Sequence, residues 1–576
     1  MLACRPCFNR GVNDANESVS LLYPAGFDAA RAGERLTDRS IVDLGLSDIA
    51  DQIAGNGVAR AEVLDVLATL VTDQRTIVYR QELLDDLIEN PKLAESLRDL
   101  LPMISEMSWY TETHRNEGAP LLQAIWRIAE LELYVDCVET LRRLFEEWGD
   151  RIRSEGLRRL RTVVEEREAA PDFRSLAEEL PKLREGLRKK KSVTLGINLD
   201  ERLRPVEAVL LAVNDTHFHE QALIARILGF NPDATKFESA LPLHQTPRPT
   251  DPELYPTGAF PLAPLFQDLE KLLNSLSRPL VASLKRYFKV NTSFLQAIRK
   301  EIAFYVGTAS LLSRLKAGGL PLCKPRLAAM EERLFVAANF YNLRLALLML
   351  EGADGDLPSQ MIVTNSIRFD KGGRILILTG PNQGGKTTYT QGIGLLQVFC
   401  QAGLLVPAQE AEVSPVDHVI THFPLEETGQ LEQGRLGEEA SRLSELFRVV
   451  TRHSLVLLNE SLSSTSPGES LYLAEDIVSA FRMLGTRAIF ATHLHELAYH
   501  IDEINSDVDG ESLLVSLVAG VAELPENRNG RARSVRRTYR IEVGPPMGKS
   551  YARDIAEKYG ISLDRIRESL KERGVL

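Results

Sequence analysis

The chain has 576 residues, of which 44% are hydrophobic and 26% charged, and its formal net charge is −12. This composition is that of an ordinary globular protein, and at roughly 150 residues per domain the length suits two to four domains. No apolar run approaches the roughly 18 residues of a membrane span, and the first residues lack the apolar stretch of a secretory signal. We therefore expect a cytoplasmic protein with no membrane partner.

Residues 73–349 are predicted to form a long helical domain, preceded by a segment, 1–72, that leads into it. Apolar side chains recur at intervals of three and four residues, as on one face of an amphipathic helix, along Leu131–Trp148, Leu265–Leu276 and Leu295–Leu312. The proline-rich connector Leu241–Pro264 cannot be helical. A short β-like piece, Ser192–Asn198, interrupts the helices.

Basic residues concentrate in two runs, Lys182–Lys191 and Arg528–Arg540. They matter because the net negative charge of the whole chain repels the phosphates of a nucleic acid, so any such contact needs a local basic patch. Each run is a candidate for that patch. Solvated surface charge is the alternative interpretation for either run taken alone.

Residues 350–576 are predicted to form an α/β domain. Three short β-runs, Arg374–Thr379, Leu455–Leu458 and Arg487–Thr492, alternate with helical segments. This alternation is typical of a mainly parallel sheet with helices on its faces. The predicted fold class is thus a helical domain followed by an α/β domain.

The sequence GPNQGGKT follows the first of these β-runs and precedes a predicted helix, which is the context of a phosphate-binding loop. Glycines let such a loop wrap closely round phosphates, so that backbone N–H groups face them. The lysine would reach the β- and γ-phosphates of ATP, and the following hydroxyl would bind Mg²⁺. The predicted nucleotide-binding residues are Gly380, Pro381, Asn382, Gln383, Gly384, Gly385, Lys386, Thr387 and Thr388.

The second β-run ends in Asn459–Glu460, where a nucleotide-hydrolysing site of this kind usually has two acidic residues. Glu460 would polarise the attacking water. Asn459 can hold Mg²⁺ through a bound water by its amide oxygen, without the added strength of an ionic hydrogen bond. We therefore predict weaker Mg²⁺ affinity and a working site, with Thr387 and Asn459 as its metal-binding residues.

His493 lies at the end of the third β-run, where the carboxyl edge of a parallel sheet faces the ligand crevice. It could sense the γ-phosphate. A zinc site from His495, Glu496 and His500 is the disfavoured alternative, because their spacing misses HExxH by one residue. The predicted helix Glu432–Val450 has a glycine-rich start that could bind a second nucleotide, or it is an ordinary packed helix.

The order of these motifs resembles that of ABC-type ATPases, and within them the MutS family of DNA mismatch-repair ATPases. The similarity is closest in TGPNQGGKTTYTQ, GLLVPAQEAEVSPVDHVIT, LVLLNESLSSTSPGESL, FATHLHEL and GKSYARDIAEKYGI, and extends over about Val363–Ile561. The helical part resembles the core and lever region of the family more loosely.

The resemblance implies a homodimer with two composite sites for ATP and Mg²⁺. Each would use Gly380–Thr387, Glu460 and His493 of one subunit and face Gly434–Glu439 of the other. It also implies that Asn382 lies near the γ-phosphate and that Asn365 falls in a loop bordering the nucleotide base. Within the helical domain, residues 182–264 would form a reduced version of the DNA clamp.

Three departures from the family pattern stand out. Asn459 replaces an aspartate, Gly434 replaces a signature serine, and little chain precedes the helical core. The implied protein is a shortened relative without the mismatch reader, which binds duplex or branched DNA without regard to mispairs and opens and closes lever arms by ATP hydrolysis. The alternatives are a nucleotide-gated scaffold or switch with little hydrolysis, and a relative that binds structured RNA or the ribosome.

Overall fold

The computed structural model describes residues 19–55, 60–114, 120–188, 192–199, 205–214, 283–287, 290–352, 358–424, 435–462, 465–523, 535–546, 561 and 563–573. The chain divides into two compact units. Unit 1 consists of Met1–Leu101, Trp148–Leu160 and Ala297–Leu576, and unit 2 of Pro102–Glu147 and Arg161–Gln296. No helix in the described parts of the chain is long and apolar enough to cross a membrane.

Helices dominate the first part of the chain. In chain order they are α1 (Asp38–Leu44), α2 (Leu46–Ala54), α3 (Arg60–Ala68), α4 (Gln74–Glu89), α5 (Pro91–His114), α6 (Pro120–Trp148), α7 (Glu155–Ala169), α8 (Pro171–Arg188) and α9 (Ser293–Ala317). Polar side chains cap their first turns: Thr37 accepts a hydrogen bond from the Ser40 N–H, and Asp73 from the Thr76 N–H. The two predicted helical stretches that lie in the described residues, within α6 and α9, are confirmed.

The remaining helices lie mostly in the α/β part: α10 (Leu343–Glu351), α11 (Pro358–Met361), α12 (Lys386–Gln401), α13 (Arg435–Val449), α14 (Pro467–Leu484), α15 (His495–Tyr499), α16 (Ile501–Asp507) and α17 (Leu563–Glu572). The helix predicted over Glu432–Val450 is α13. The predicted stretch Leu265–Leu276 and the connector Leu241–Pro264 lie outside the described residues.

The strands are β1 (Gly33–Arg35), β2 (Thr69–Val71), β3 (Ser192–Leu199), β4 (Pro205–Asn214), β5 (Arg326–Leu327), β6 (Phe335–Phe340), β7 (Asn365–Phe369), β8 (Ile375–Thr379), β9 (Glu410–Val413), β10 (Val419–His422), β11 (Leu455–Asn459), β12 (Arg487–Ala491), β13 (Leu514–Glu523) and β14 (Val535–Val543). The β-like piece at Ser192–Asn198 is confirmed as β3. Its antiparallel partner β4 was not predicted.

A six-stranded sheet in the order β10-β11-β12-β8-β13-β14 forms the centre of unit 1. Its first five strands are parallel, and β14 runs antiparallel to β13. The three predicted β-runs are β8, β11 and β12, with all residues buried. The predicted mainly parallel sheet, and the fold class of a helical and an α/β part, are confirmed.

A smaller sheet, in the order β5-β9-β6-β7, also belongs to unit 1. Its strands β5 and β6 lie where the sequence predicted helix, and there the helical prediction is wrong. In β6, Phe335 and Ala337 are buried while Val336 and Ala338 are partly exposed, so burial alternates with the period of a strand. The run is too short to show that period clearly among its helical neighbours.

Within unit 1, the N-terminal helix α1 packs on the edge strand β10 of the large sheet. The Ser40 hydroxyl donates to the Val419 carbonyl at 3.0 Å, and the Thr421 hydroxyl donates to the buried Asp43 carboxylate at 2.7 Å. The Gln391 amide of α12 donates to the Asp43 carbonyl at 2.7 Å. Covering an edge strand removes a site for unwanted strand pairing. The sequence predicted only that this segment leads into the helical domain.

In unit 2, a buried ion pair joins neighbouring parts of the helical core. Glu130, of which 4% is exposed, accepts from Arg127 at 2.7 Å and from the Thr292 hydroxyl at 2.8 Å. Buried charges are stable only when they are paired and hydrogen-bonded in this way.

Candidate functional site

The loop Gly380–Gly385 connects the buried strand β8 to helix α12. Gly380 and Gly385 have φ angles of 142° and 92°, a region that side-chain-bearing residues rarely adopt. A Cβ atom at Gly380 would lie 2.6 Å from the Ala519 Cβ, so only glycine fits beside β13. The loop therefore leaves its backbone N–H groups at the N-terminus of a 16-residue helix, an arrangement suited to anions.

Lys386 is the first residue of α12, and only 4% of it is exposed. Its amine donates to the carbonyls of Gly380 at 3.0 Å and Pro381 at 3.1 Å. Burial lowers the pKa of the Lys386 amine to about 8, against a smaller opposing effect of Glu460. The lysine is thus poised inside the loop, with a charge that an anion would stabilise.

Thr387 and Asn459, the two predicted metal-binding residues, are brought together. The Thr387 hydroxyl donates to the Asn459 amide oxygen at 3.2 Å, although the two are 72 residues apart. Asn459 ends strand β11 and is 3% exposed, whereas Thr387 is exposed. A hydroxyl and an amide oxygen next to the Glu460 carboxylate form the all-oxygen donor set that Mg²⁺ prefers.

Glu460 and His493 form a hydrogen-bonded pair at the carboxyl edge of the sheet. His493 Nε2 lies 3.0 Å from Glu460 Oε1, and this bond is the main cause that lowers the pKa of the Glu460 carboxyl. Because the carboxylate is then ionised at neutral pH, Nε2 is the donor. The backbone of Glu460 has a φ angle of 51° and its N–H donates to the Ala491 carbonyl at 2.7 Å, which fixes a conformation that is unfavourable in isolation.

The residues after Glu460 are held by His422, which the sequence did not single out, and by Glu439, the last residue of the predicted segment Gly434–Glu439. The Ser461 hydroxyl is hydrogen-bonded to His422 Nδ1 at 2.7 Å, and the Leu462 N–H donates to the Glu439 carboxylate at 2.6 Å. Burial lowers the pKa of His422 to about 4, so its ring is neutral. His422 ends β10, so it lies at the same carboxyl edge of the sheet as His493. A histidine at the end of a β-run was therefore the sequence signal that could have identified His422 as a site residue.

One cavity of about 480 Å³ adjoins the loop, a size within the usual range for small-molecule sites. One part of its wall is polar and comes from Gln383–Thr388 and Glu460. The other part is mainly apolar and aromatic, and consists of Phe340, Tyr341, Leu345, Met349, Met361, Ile362, Val363, Tyr389 and Tyr539 together with Asn342 and Asn365. Such a cavity can accept a molecule with a charged end and a flat apolar end.

Asn365 lines this cavity, but it is the first residue of strand β7 and not part of a loop. Its amide donates to the Tyr539 carbonyl at 3.1 Å and accepts from the Ile541 N–H at 2.7 Å. These two bonds join the start of β7 to the backbone of β14. Tyr539 itself, with a φ angle of 58°, was not predicted as a site residue.

Not all predicted site residues meet in the cavity. Gly380, Pro381 and Asn382 belong to the loop but do not line the cavity, and the Asn382 side chain is exposed. Asn459 and His493 also lie outside the lining and are hydrogen-bonded to Thr387 and Glu460, which belong to it. Gly434 lies outside the described residues. Within the described parts of the chain, no three His, Cys, Asp or Glu side chains are placed to hold a metal ion, and His500 instead pairs with Glu475 at 2.5 Å.

The Asn459 position gives a direct test of the metal assignment. We expect Asn459→Asp to lower the Mg²⁺ concentration for half-maximal ATPase activity roughly two- to thirtyfold, because an ionic hydrogen bond exceeds a neutral one by about 0.5–2 kcal/mol. The midpoint is measured by Mg²⁺ titration, with Asn291→Asp, an exposed amide, as the control. An unchanged midpoint would show that the end of β11 does not face the metal.

Comparison with known proteins places the two parts of the chain in one family. The family model for the MutS2 N-terminal domain matches residues 72–318, and that for MutS domain V matches residues 376–566. Residues 19–71, whose helix α1 packs on β10 and α12, lie outside the ranges that the two family models match.

The chain spans less than a third of the length of each of the following relatives. A DNA mismatch repair protein MutS from Chlorobium phaeobacteroides is 31% identical over 177 residues, 31% of this chain and 19% of the relative. An endonuclease MutS2 from Thermus thermophilus is 31% identical over 217 residues, 37% of this chain and 27% of the relative. A MutS from Sorangium cellulosum is 36% identical over 137 residues, 23% of this chain and 15% of the relative. Matches to the MutS2 N-terminal model and to the MutS domain V model, in two separate parts of the chain, make this protein a relative of the MutS family.

Proposed function

We propose that this protein is an ATP-hydrolysing, DNA-binding member of the MutS family. The observation that carries the proposal is that Lys386, Thr387 and Glu460 line one cavity. Thr387 is hydrogen-bonded to Asn459, and Glu460 to His493. The names of the relatives, mismatch repair protein and endonuclease, favour DNA as the partner.

The residues of the site have distinct roles in this proposal. The N–H groups of Gly380–Gly385 and the start of α12 bind the phosphates, and Lys386 neutralises the β- and γ-phosphates. Thr387 and Asn459 would hold Mg²⁺, Asn459 through a bound water, and the ion would supply positive charge for the transferred phosphoryl group. The apolar wall and Asn365 receive the base.

Glu460 acts as the base that polarises the attacking water. Its ionised carboxylate can accept a proton, and the hydrogen bond from His493 fixes its orientation. His493 is 41% exposed, and so it can also contact the γ-phosphate. Asn382, on the exposed side of the loop, is the third residue that we assign to the transferred phosphate.

We further propose a homodimer with composite sites. Thr387 and Asn382 are exposed, and a second subunit would cover them. The segment Gly434–Glu439 of that subunit would face the phosphates, so that ATP bridges the two chains and hydrolysis breaks the bridge. Helical arms from residues 73–349, with a reduced clamp near 182–264, would then move around DNA.

A nucleotide-gated switch with little hydrolysis is the second candidate. It is favoured by the amide at Asn459, which bonds Thr387 where a carboxylate would attract Mg²⁺ more strongly. Steady-state turnover separates the two functions: nucleotide-dependent dimerisation without turnover would establish the switch.

The most informative experiment measures the ATPase rate of the full chain alone and with duplex, branched and single-stranded DNA and structured RNA. We expect stimulation by duplex or branched DNA and no difference between matched and mispaired duplex. Stimulation by structured RNA alone would identify an RNA- or ribosome-associated relative, and a preference for mispairs would reveal a mismatch reader.

The DNA contact itself is expected to come from the run Lys182–Lys191. Lys182 is exposed on α8, and residues 189–191 lie outside the described residues. Replacing Arg188, Lys189, Lys190 and Lys191 with alanine should lower the slope of log affinity against log salt by up to about 3–4 units, at roughly 0.9 per phosphate contact. Basal ATPase activity should not change.

The control for this variant removes the same charge elsewhere. Four exposed basic residues of unit 1, Lys92, Arg98, Lys316 and Lys371, are replaced with alanine. An equal change of slope in both variants would show that the run is ordinary surface charge.

A further inference from the structure

The basic run Arg528–Arg540 ends at the phosphate loop. Its last residues form β14, the outer strand of the large sheet, and its earlier part, 528–534, lies outside the described residues. From this strand the Arg537 guanidinium donates to the Gln383 side-chain oxygen at 2.8 Å. A residue that the sequence offered only as a nucleic-acid contact thus reaches the loop from 154 residues away.

The fold aims Arg537 at the loop through an irregularity in the strand. The β13–β14 register shifts between Ala519 and Val521, and Tyr539 has a φ angle of 58°. The Asn365 side-chain amide of β7 donates a hydrogen bond to the Tyr539 carbonyl. Such bulges commonly re-aim side chains next to active sites. The placement of Arg537 is therefore built into the strand and is not a chance contact of a long side chain.

Arg537 carries a charge with no counter-charge in the described structure. Among the described residues its guanidinium bonds Gln383, a neutral amide, and has no carboxylate within ion-pair distance. Arg452, in the same unit, instead pairs with Glu511 at 2.9 Å. A guanidinium favours bidentate contact with carboxylate or phosphate. Arg537 is thus available to an anion that enters the loop.

The cavity has room for a second positive charge. In the described chain, Lys386 is the one cationic side chain that lines it, and its amine already donates to two loop carbonyls. Gln383 lines the cavity, and its hydrogen bond holds the Arg537 guanidinium beside the cavity. The backbone of Gln383 has a φ angle of 58°, which is unusual for a residue with a side chain. Gly434 cannot supply the hydroxyl of the signature serine that it replaces.

We propose that Arg537 is a second cation of the nucleotide site, which leaves Gln383 and binds the terminal phosphate of a nucleoside triphosphate. The proposal rests on the assignment of the loop as an ATP site. It gives Arg537 a specificity role: the contact exists with a triphosphate and is lost with a diphosphate. The protein thereby distinguishes ATP from ADP within one subunit.

The test compares the affinities for Mg²⁺·AMP-PNP and Mg²⁺·ADP, by calorimetry, of wild type, Arg537→Met and Arg537→Lys. In Arg537→Met, AMP-PNP affinity should fall roughly ten- to a hundredfold, the size of a charge-assisted hydrogen bond, and ADP affinity by less than about threefold. Arg537→Lys should retain part of the preference for AMP-PNP. Arg540→Met removes an exposed arginine of the same strand that, among the described contacts, does not bond Gln383, and it should leave both affinities unchanged.

Three outcomes would overturn the inference. One is an equal loss of AMP-PNP and ADP affinity in Arg537→Met, which is what a purely structural support of the loop gives. Another is no loss of either. The third is loss of duplex DNA affinity with an unchanged AMP-PNP to ADP ratio, which would return Arg537 to the nucleic-acid patch. If wild type binds neither nucleotide, the ATP site itself is refuted, which is a distinct result.

Discussion

Glu460→Gln should bind ATP as wild type does and lose about 10²–10⁴-fold in hydrolysis rate, the usual contribution of a general base. Glutamine has nearly the same shape as glutamate, and its amide oxygen can still accept the hydrogen bond from His493. The unusual backbone at Glu460 is fixed by the Ala491 carbonyl and does not depend on the carboxylate. The change therefore removes the base and little else. Single-turnover hydrolysis and nucleotide binding, measured on the same preparation, check both expectations.

A matched control variant tests whether the loss of hydrolysis comes from removing the base Glu460. Glu475→Gln alters another carboxylate that is hydrogen-bonded to a histidine, His500, on the same unit but away from the cavity. It should hydrolyse ATP at the wild-type rate. If Glu460→Gln retained the wild-type rate, another group would be the base and the assignment of the β11 end would be wrong. If it lost ATP binding as well, Glu460 would be a structural residue of the site.

The parts of the site that the sequence predicted are those in which structure follows from neighbours in the chain. The phosphate loop is such a part: a buried β-run, closely spaced glycines and a helix fix the place of Lys386 and Thr387 without further information. The ends of β11 and β12 are another, since neighbouring parallel strands bring their carboxyl ends to one edge. For that reason Glu460 and His493 could be expected to meet.

The parts that the sequence could not predict depend on contacts between distant segments. Arg537 reaches Gln383 from an antiparallel strand whose register shifts beside it, and the sequence indicated no β-run at β14. The packing of α1 on β10 involves Asp43 and Thr421, two ordinary polar residues until the fold buries them. Strand β6 was mistaken for helix because six residues give too little periodicity.

Lys386→Ala is expected to abolish measurable nucleotide binding. In the described lining of the cavity Lys386 is the sole cation, and the amine that loop carbonyls now hold would contact the β- and γ-phosphates directly. Removing a buried charged contact costs about 3–5 kcal/mol, or more than a hundredfold in affinity. Calorimetry with ADP and AMP-PNP measures the loss. Lys371→Ala, an exposed lysine on the turn before β8, is the control. Tight ATP binding by Lys386→Ala would refute the phosphate-loop assignment.

The same lysine predicts how ATP affinity depends on pH. In the free protein burial lowers the pKa of Lys386 to about 8, so the amine loses its proton as the pH rises through that value. Bound phosphates favour the charged amine and raise its pKa, so binding above pH 8 must take up a proton. ATP affinity should therefore be level below about pH 7 and fall above pH 8, approaching tenfold per pH unit. Proton uptake, obtained by calorimetry in buffers of different ionisation enthalpy, should rise over the same interval. An affinity that stays level from pH 7 to 9.5 would show that the amine keeps its proton in the free loop, and that its burial among the Gly380 and Pro381 carbonyls already stabilises the charge.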